Sequence, residues 1–571
     1  MDFDLKIVGG TILDGSGRER YRGDVAIKGG RIVALGKAAG TAADTIDAGG
    51  LMVAPGFVDV HTHYDAQVFW DSTLSVSPWH GVTTVVIGNC GFGIAPTHPE
   101  HRGLILETLA RVESMSLDSL WAGLGREWPF VTFPEYLAAI ERRRPTINVA
   151  VLAGHTPIRL HVMGREAVER AARPAEVATM RALVREAITA GAIGFATSVS
   201  NVHYGFSGFP VPSRLAAFDE IVALCQAMGE VDQGLIHYNV GRQPRFGEYE
   251  ALVKASGRPL CWTSLLSGGL GPGAHRDHLA ASHAQRVKGL DIHPQGAARP
   301  ISLEFNFREP AAFDTWQNFA AVREAKNDAD FRRLYADAAF RQAFKDEVEG
   351  RGRNHEFFLG GRGEEASNLA SWKLTTISWY PPEPALNGRS LHAVAAERRM
   401  HAVDLMLDLV LRSKLEVRFS MPRANFDEAE VAEILGDSSV VVGLGDGGAH
   451  LSQLCDACYA TYLLGHWVRD KGVLTLEQAV HRLTQHTAQV YGITDRGLLA
   501  VDRPADAVVF DPATVGAGPL ERIYDLPGGA DRLVSRPKGV AAVVVNGRRL
   551  PAPGADTGPG SGRLLRNGRA A

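Results

Sequence analysis

The sequence predicts an α/β fold: a (β/α)8, TIM-like barrel with a small β-sandwich formed by the N- and C-terminal segments. Three observations predict it. Short β-rich runs alternate with amphipathic stretches through the middle of the chain, the pattern of a parallel sheet with crossover helices. Both chain ends instead carry short alternating strands between Gly-rich turns. At 571 residues and 61.5 kDa the chain exceeds what one compact core holds, so a large domain plus a smaller module is expected.

Residues 1–56 contain "LKIVGGTILDG", "GDVAIKGGRIVALG" and "TIDAGGLMVAPG", which alternate apolar and polar positions. The texture returns in "GLLAVDRPADAVVFDP" and "GVAAVVVNGRRLPAPG", so residues 492–551 are expected to complete the sandwich. Between them, residues 57–491 carry the barrel strands: "GFVDVHTH", "GVTTVVIGNC", "INVAVLAGH", "GAIGFATSVS", "GLIHYNV", "GRPLCWTSLL", "GLDIHPQ" and "SSVVVGLGD". Most are separated by amphipathic stretches such as "AEVATMRALVREAITA". An insertion near 305–390 holds a charged helical piece and the Trp/Pro-rich "SWKLTTISWYPPEP". The tail, 552–571, is small, polar and Gly-rich and is expected to be flexible.

With 45% hydrophobic and 22% charged residues and a formal charge of -4, the composition is that of an ordinary globular protein and implies no polyanionic partner. Nucleic acid is therefore not expected as a partner. No apolar run reaches the roughly 18 residues that span a bilayer, and "MDFDLKIVGG" lacks a basic stretch followed by an apolar one. A cytoplasmic protein without a membrane partner is expected. Five cysteines, an odd number, argue for reduced thiols.

In "GFVDVHTHYD" His61 and His63 lie two apart at the C-terminal end of a strand, on one face, where barrel active sites lie. Neutral imidazoles are the commonest metal ligands. Cys90 closes the second strand at the same rim, and a thiolate with imidazole selects zinc over magnesium or calcium. His237 ends another strand and is a further candidate ligand. His155 ends the third strand with Thr156 and Arg159 nearby, which suits a supporting or substrate role.

The stretch "VVVGLGDGGAH" contains Gly443, Gly445 and Gly448 in the G-x-G-x-x-G spacing of a dinucleotide-binding turn. That fingerprint should follow the first strand of a βαβ unit and precede an acidic residue about 20 positions on. Here it follows the last strand, and no such acid appears, so the glycines are read as letting the backbone turn sharply to bring Asp446 into a metal centre. Cys455 and Cys458 form a lone C-x-x-C on a helix and are read as core. Trp121, Trp128 and Phe130 are read as a lid or core, since no basic patch accompanies them.

"VAPGFVDVHTHYD", "GNCGFG", "GLGDGGAH" and "RGLLAVDRPADAVVFDP" resemble the amidohydrolase superfamily, and within it the N-acyl-D-amino-acid deacylase (D-aminoacylase) group. The resemblance is strong at the first and last barrel strands and poor over 265–390. It implies that His61 and His63 bind one zinc, that Cys90 is a thiolate able to bridge two, that His237 is the fifth-strand ligand, and that Asp446 is both ligand and general acid/base. It also implies a histidine at the end of the sixth strand, where this chain reads "RPLCWTSLLSGG" with Trp262, Thr263 and Ser264. His275, His278 and His283 follow nearby. One zinc, or two with water filling the gap, both fit.

The implied reaction is zinc-dependent hydrolysis of a linear amide, foremost an N-acyl-D-amino acid, by activated water. Bidentate arginine suits the substrate carboxylate. Candidate substrate-binding residues are His155, Arg159, Tyr204 and Lys373, with Arg242, Arg423 and Tyr380 behind them. Two alternatives stand: the same machinery acting on a cyclic imide, peptide-like or aryl amide, and a non-catalytic scaffold that keeps the barrel. A homo-oligomer is compatible with either.

Overall fold

The eight runs form one parallel sheet: β1 (Phe57–Asp59), β2 (Val82–Ile87), β3 (Asn148–Gly154), β4 (Gly194–Ser198), β5 (Leu235–Asn239), β6 (Leu260–Leu265), β7 (Ile292–Ala297) and β8 (Val441–Gly443), paired in that order. The computed structural model describes every residue except 242, 269–270, 309, 311–312, 314–315, 351–369, 553–559 and 571. β2, "VTTVVI", is buried along its whole length; β-branched residues suit a strand covered on both faces.

β1 and β8 are short, and the barrel closes through the residues just past them. Thr62 bridges Gly447. The Asp446 N–H donates to the His61 carbonyl at 3.0 Å, and the His63 N–H donates to the Gly447 carbonyl at 2.7 Å. Closure of the sheet therefore sets "HTH" directly against "GDGG".

The two chain ends build the β-sandwich: seven of its eight strands run in one hydrogen-bonded order, and Ala42–Asp47 branches off by pairing with Phe3–Ile12. Its N-terminal and C-terminal parts meet where Met52–Pro55 pairs antiparallel with Ala507–Phe510. Ile7, Val25, Ile27, Val53, Val509 and Val544 fill its core. A hairpin of Gly516–Ile523 with Arg532–Lys538 is an addition that the sequence texture does not signal.

Of the tail expected to be flexible over 552–571, residues 560–570 are ordered, while 553–559 and 571 lie outside the described residues. Residues 560–570 pack on the N-terminal end of the barrel: the Gly560 N–H donates to the Arg144 carbonyl at 3.0 Å and the Val149 N–H to the Arg563 carbonyl at 2.9 Å. Leu565 is fully buried in the same core cluster as Val58, Val86 and Ala150. One apolar "LL" pair in an otherwise polar tail, ending in the hairpin Leu565–Arg566 with Arg569–Ala570, is enough to anchor it.

The chain divides into two units, residues 1–265, 278–298 and 432–571 in one, and 266–277 and 299–431 in the other. The second is larger than the insertion expected near 305–390. The difference arises because Ile301–Phe305 and Thr376–Trp379 both pair antiparallel with Arg418–Ala424, a strand beyond the expected boundary. Its core is aromatic, with Phe305, Phe313, Phe319, Phe344, Trp372 and Phe419 packed together. No helix among the described residues is long and apolar enough to cross a membrane.

Candidate metal centre

β1 delivers two imidazoles. His61 and His63 are both buried, with ring centroids 5.4 Å apart. Asp59, wholly buried, holds the stretch in place: its Oδ1 accepts the His61 N–H at 3.1 Å. Burial pushes the Asp59 carboxyl up to about 7.

β2 delivers sulfur. Cys90 sits in a turn with φ 56°, a left-handed conformation that L-residues other than Asn, Asp and His seldom adopt. Asn89 holds the turn, its Nδ2 donating to the carbonyls of Val86 at 2.8 Å and Thr62 at 3.2 Å. Cys90 Sγ lies 3.3 Å from His61 Nε2 and accepts from Asn239 Nδ2 at 3.0 Å. Burial resists a thiolate there, but the imidazoles of His61, His237 and His63 outweigh it and hold the thiol well below its ordinary range. Burial likewise opposes charge on His61, and the neighbouring Cys90 and Asp446 lift it to about 9. The imidazole proton is what a divalent cation would displace.

β5 points His237 inward, its ring centroid 5.2 Å from that of His61. Its Nδ1 meets the Tyr491 hydroxyl at 3.2 Å, while its Nε2 is buried with no hydrogen-bond partner. β7 adds Gln295, whose Oε1 lies 2.7 Å from His61 Nδ1.

β8 ends in the Gly-rich stretch, and the seam explains the glycines. A Cβ on Gly445 would fall 2.0 Å from Asp59 Oδ2, and one on Gly447 would fall 2.5 Å from the Tyr64 hydroxyl. No side chain fits there. Asp446, between them at φ 43°, places Oδ1 3.5 Å from His61 Nε2 and 3.7 Å from His63 Nε2. Burial works against its charge, yet the two imidazoles hold its carboxyl below the usual range.

Glu113 is a site residue with no sequence signal. It follows the helix Arg102–Val112, is buried, and faces two imidazoles: Oε1 is 3.4 Å from His63 Nδ1 and Oε2 is 3.6 Å from His450 Nε2. Burial pushes its carboxyl up, with His63 opposing. His203 packs its ring 5.2 Å from Phe92 and meets Ser198 Oγ through Nδ1 at 2.8 Å. Burial pushes it down to about 4, so it is neutral at physiological pH.

His155 and Arg159 require correction as substrate contacts. Both are fully buried. His155 spends Nδ1 on Thr197 Oγ1 at 2.8 Å and Nε2 on Glu220 Oε1 at 2.9 Å. The Arg159 guanidinium donates to both Glu220 oxygens and to the Arg170 carbonyl. Glu220 on a later helix claims both groups, leaving a structural ion-pair network. Tyr204 is exposed, its ring beneath the Arg214 guanidinium at 4.7 Å. Lys373, Tyr380 and Arg423 belong to the second unit, where Lys373 is exposed and Tyr380 buried; Arg242 lies outside the described residues.

At β6 the position paired with Asn239 and Gln295 is Thr263, whose Oγ1 is buried without a hydrogen-bond partner. Trp262 stacks on Tyr249 instead. His283 pairs with Asp437 at 2.9 Å, and His275 faces Glu430 at 3.7 Å in the second unit. Among the described residues, the one cluster of three donors with metal-ligand spacing is His61, His63 and Cys90, their atoms within 4.8 Å of one another. Thiolate with imidazole suits zinc, and the unpartnered His237 Nε2 is the orphaned atom such an ion would explain. Cys455 and Cys458 are buried, and the Cys458 thiol donates to the Cys455 carbonyl. Trp128 and Phe130 are buried against each other.

Comparison with known proteins agrees with this geometry. A model of the amidohydrolase family matches residues 44–551. The D-aminoacylase of Alcaligenes xylosoxydans xylosoxydans is 30% identical over 99% of this chain and 97% of its own length. The N-acyl-D-aspartate deacylase of the same organism is 30% identical over 96% and 92%. Among solved structures, N-acyl-D-glutamate deacylase from Bordetella bronchiseptica, complexed with zinc and a phosphonate inhibitor, aligns with a TM-score of 0.66 at 28% identity, covering 99% of this chain and all of that one.

Proposed function

We propose, from the premise that this chain belongs to the amidohydrolase family, that it hydrolyses a linear amide, an N-acyl-D-amino acid, to a carboxylate and a free D-amino acid in a zinc-dependent reaction. The observation that carries the reading is the Cys90 sulfur set among His61 and His63, with the Asp446 carboxylate 3.5 and 3.7 Å from their Nε2 atoms. His61, His63, Cys90 and Asp446 would hold one zinc. His237 stands ready for a second, for which β6 offers only the Thr263 hydroxyl.

Bound zinc would polarise the scissile carbonyl and make a water molecule nucleophilic near neutral pH. Asp446, kept ionised by the two imidazoles, accepts the proton of the attacking water and passes it to the departing amine. His61 and His63 fix the position of that carboxylate. Neutral His203 and the His450–Glu113 pair are at hand beside the cluster as hydrogen-bonding groups.

The test is zinc content per chain together with hydrolysis of matched N-acetyl-D- and N-acetyl-L-amino acids and of hydantoins. Zinc-dependent release of free D-amino acid, in preference to L, is the expected result. Zinc-loaded protein that opens hydantoins and leaves every N-acyl amino acid intact would overturn the linear-amide reading, and a chain that takes up no zinc would overturn the metal-dependent one.

A further inference from the structure

The two imidazoles nearest Cys90 are tied together behind the metal centre by residues outside every motif. His61 Nδ1 lies 2.7 Å from Gln295 Oε1. Gln295 Nε2 donates to the Tyr491 hydroxyl oxygen at 3.3 Å, and the same oxygen lies 3.2 Å from His237 Nδ1. All four side chains are wholly or nearly wholly buried. The Tyr491 hydroxyl also acts on the buried Cys261 thiol, pulling it down against the burial that pushes it up.

Donors and acceptors along this chain determine its polarity. The Gln295 carbonyl can only accept, so His61 must keep a proton on Nδ1, and the proton that Nε2 shares with Cys90 at 3.3 Å is the one a metal ion would expel to leave Nε2 bare. The Gln295 amide N–H then fills one lone pair of the Tyr491 oxygen. A phenol has one hydrogen and two lone pairs. The hydroxyl reaches His237 Nδ1 at 3.2 Å; when its hydrogen turns toward Cys261, the His237 Nδ1–H fills the second lone pair and His237 too presents a bare Nε2. That atom is the one left without a partner. The His61 Nδ1, Gln295 and Tyr491 atoms of this relay all have partners, as a buried network requires.

We infer that Gln295 and Tyr491 are positioning residues that lock His61 and His237 in the Nδ1–H tautomer, so that one amide and one phenol set both imidazoles for zinc. Partners on the far nitrogen of a ligating histidine fix its orientation and raise its basicity, and their loss costs about 10–100-fold in metal affinity. The inference rests on the reading that His61 and His237 can hold zinc.

The test measures zinc dissociation constants of the full-length chain by competition with a chromophoric chelator, and visible absorption of the cobalt(II)-substituted protein. Gln295→Leu and Tyr491→Phe should each weaken zinc about 10–100-fold and shift the cobalt bands while the protein stays folded, with the circular dichroism of the wild type. Gln295→Glu keeps an acceptor facing His61 and should retain most of the affinity, which a merely space-filling role does not predict. Tyr491→Phe keeps the buried ring and carries the test alone if Gln295→Leu does not fold. Folded variants that bind zinc as tightly as the wild type, or a Glu variant as weak as the Leu one, overturn the inference. A wild-type chain that takes up no zinc fails the underlying reading instead, so the two failures are distinct.

Discussion

Gly445→Ala isolates the cost of crowding the barrel seam. Gly445 is outside the left-handed region, so alanine there carries no backbone strain; the added Cβ, however, would lie 2.0 Å from Asp59 Oδ2, 2.9 Å from Cγ and 3.2 Å from Oδ1. The nearest contact is about 1.4 Å short of the 3.4 Å at which ordinary packing begins. Asp59 is fully buried and cannot swing into solvent. Forcing an extra methyl into a filled core costs about 1–3 kcal/mol. Displacing Asp59 also strips the His61 N–H of its acceptor, at about 1–3 kcal/mol for an unpaired buried donor. The expected loss is therefore about 2–6 kcal/mol, accompanied by weaker zinc binding because His61 moves with its backbone. Gly103→Ala is the control: it lies in the helix Arg102–Val112 with nothing within 4 Å of its Cβ, and should stabilise by about 0.5–1 kcal/mol. Urea unfolding followed by tryptophan fluorescence, with zinc titration in parallel, reads both. A Gly445→Ala protein that unfolds at the same urea concentration as Gly103→Ala and keeps its zinc affinity would refute the steric account of the seam.

Asp446→Asn should fold normally and lose about 10²–10⁴-fold in kcat on an N-acyl-D-amino acid; near-normal turnover would remove the acid/base role. Cys90→Ala should lower zinc content in elemental analysis, and full zinc occupancy would reduce the thiol to packing. Zinc affinity should fall as pH falls: His61, lifted to about 9, holds a proton that the ion must expel at any pH below that value, and a flat dissociation constant between pH 6 and 9 would contradict it. His161, pushed down to about 4 by burial and then by His98 and His101, stays neutral in the folded chain while the unfolded chain takes up its proton near 6.5. Its contribution is thus present above about 6.5 and lost as pH falls toward 4. His161→Phe should flatten the acid side of a melting-temperature profile, and an unchanged profile would exclude His161 as the cause.

What could be read from the sequence depended on whether a group's role is settled within a few residues or across the barrel. All eight barrel strands announce themselves because burial on both faces demands short apolar runs at regular intervals. "HTH", "GNCG" and "GDGG" are equally visible, since a strand end, a left-handed turn and a seam without room for a Cβ each restrict residue type locally. His155 and Arg159 mislead for the same reason: at the end of β3 they look free, and Glu220, 65 and 61 positions later, binds both. The extent of the second unit was hidden because Arg418–Ala424 pairs with Ile301–Phe305 over more than a hundred residues.

Glu113, Gln295 and Tyr491 give no local sign. Gln295 meets His61 across 234 positions and Tyr491 meets His237 across 254, and nothing near either residue in the chain restricts its type. A weaker rule would still have found one of them. Once "GLDIHPQ" is accepted as a strand of a closed barrel, a glutamine in it is a buried amide with donors and acceptors to satisfy. The polar atoms available inside such a barrel are those gathered at its C-terminal rim. Applied to β5 and β6, the same reasoning selects Asn239, which reaches Cys90 Sγ, and Thr263, whose hydroxyl has no hydrogen-bond partner where a second ion would need a ligand. Strand membership combined with polarity therefore locates the inner wall of the metal centre, and the motifs locate only the ligands that face it.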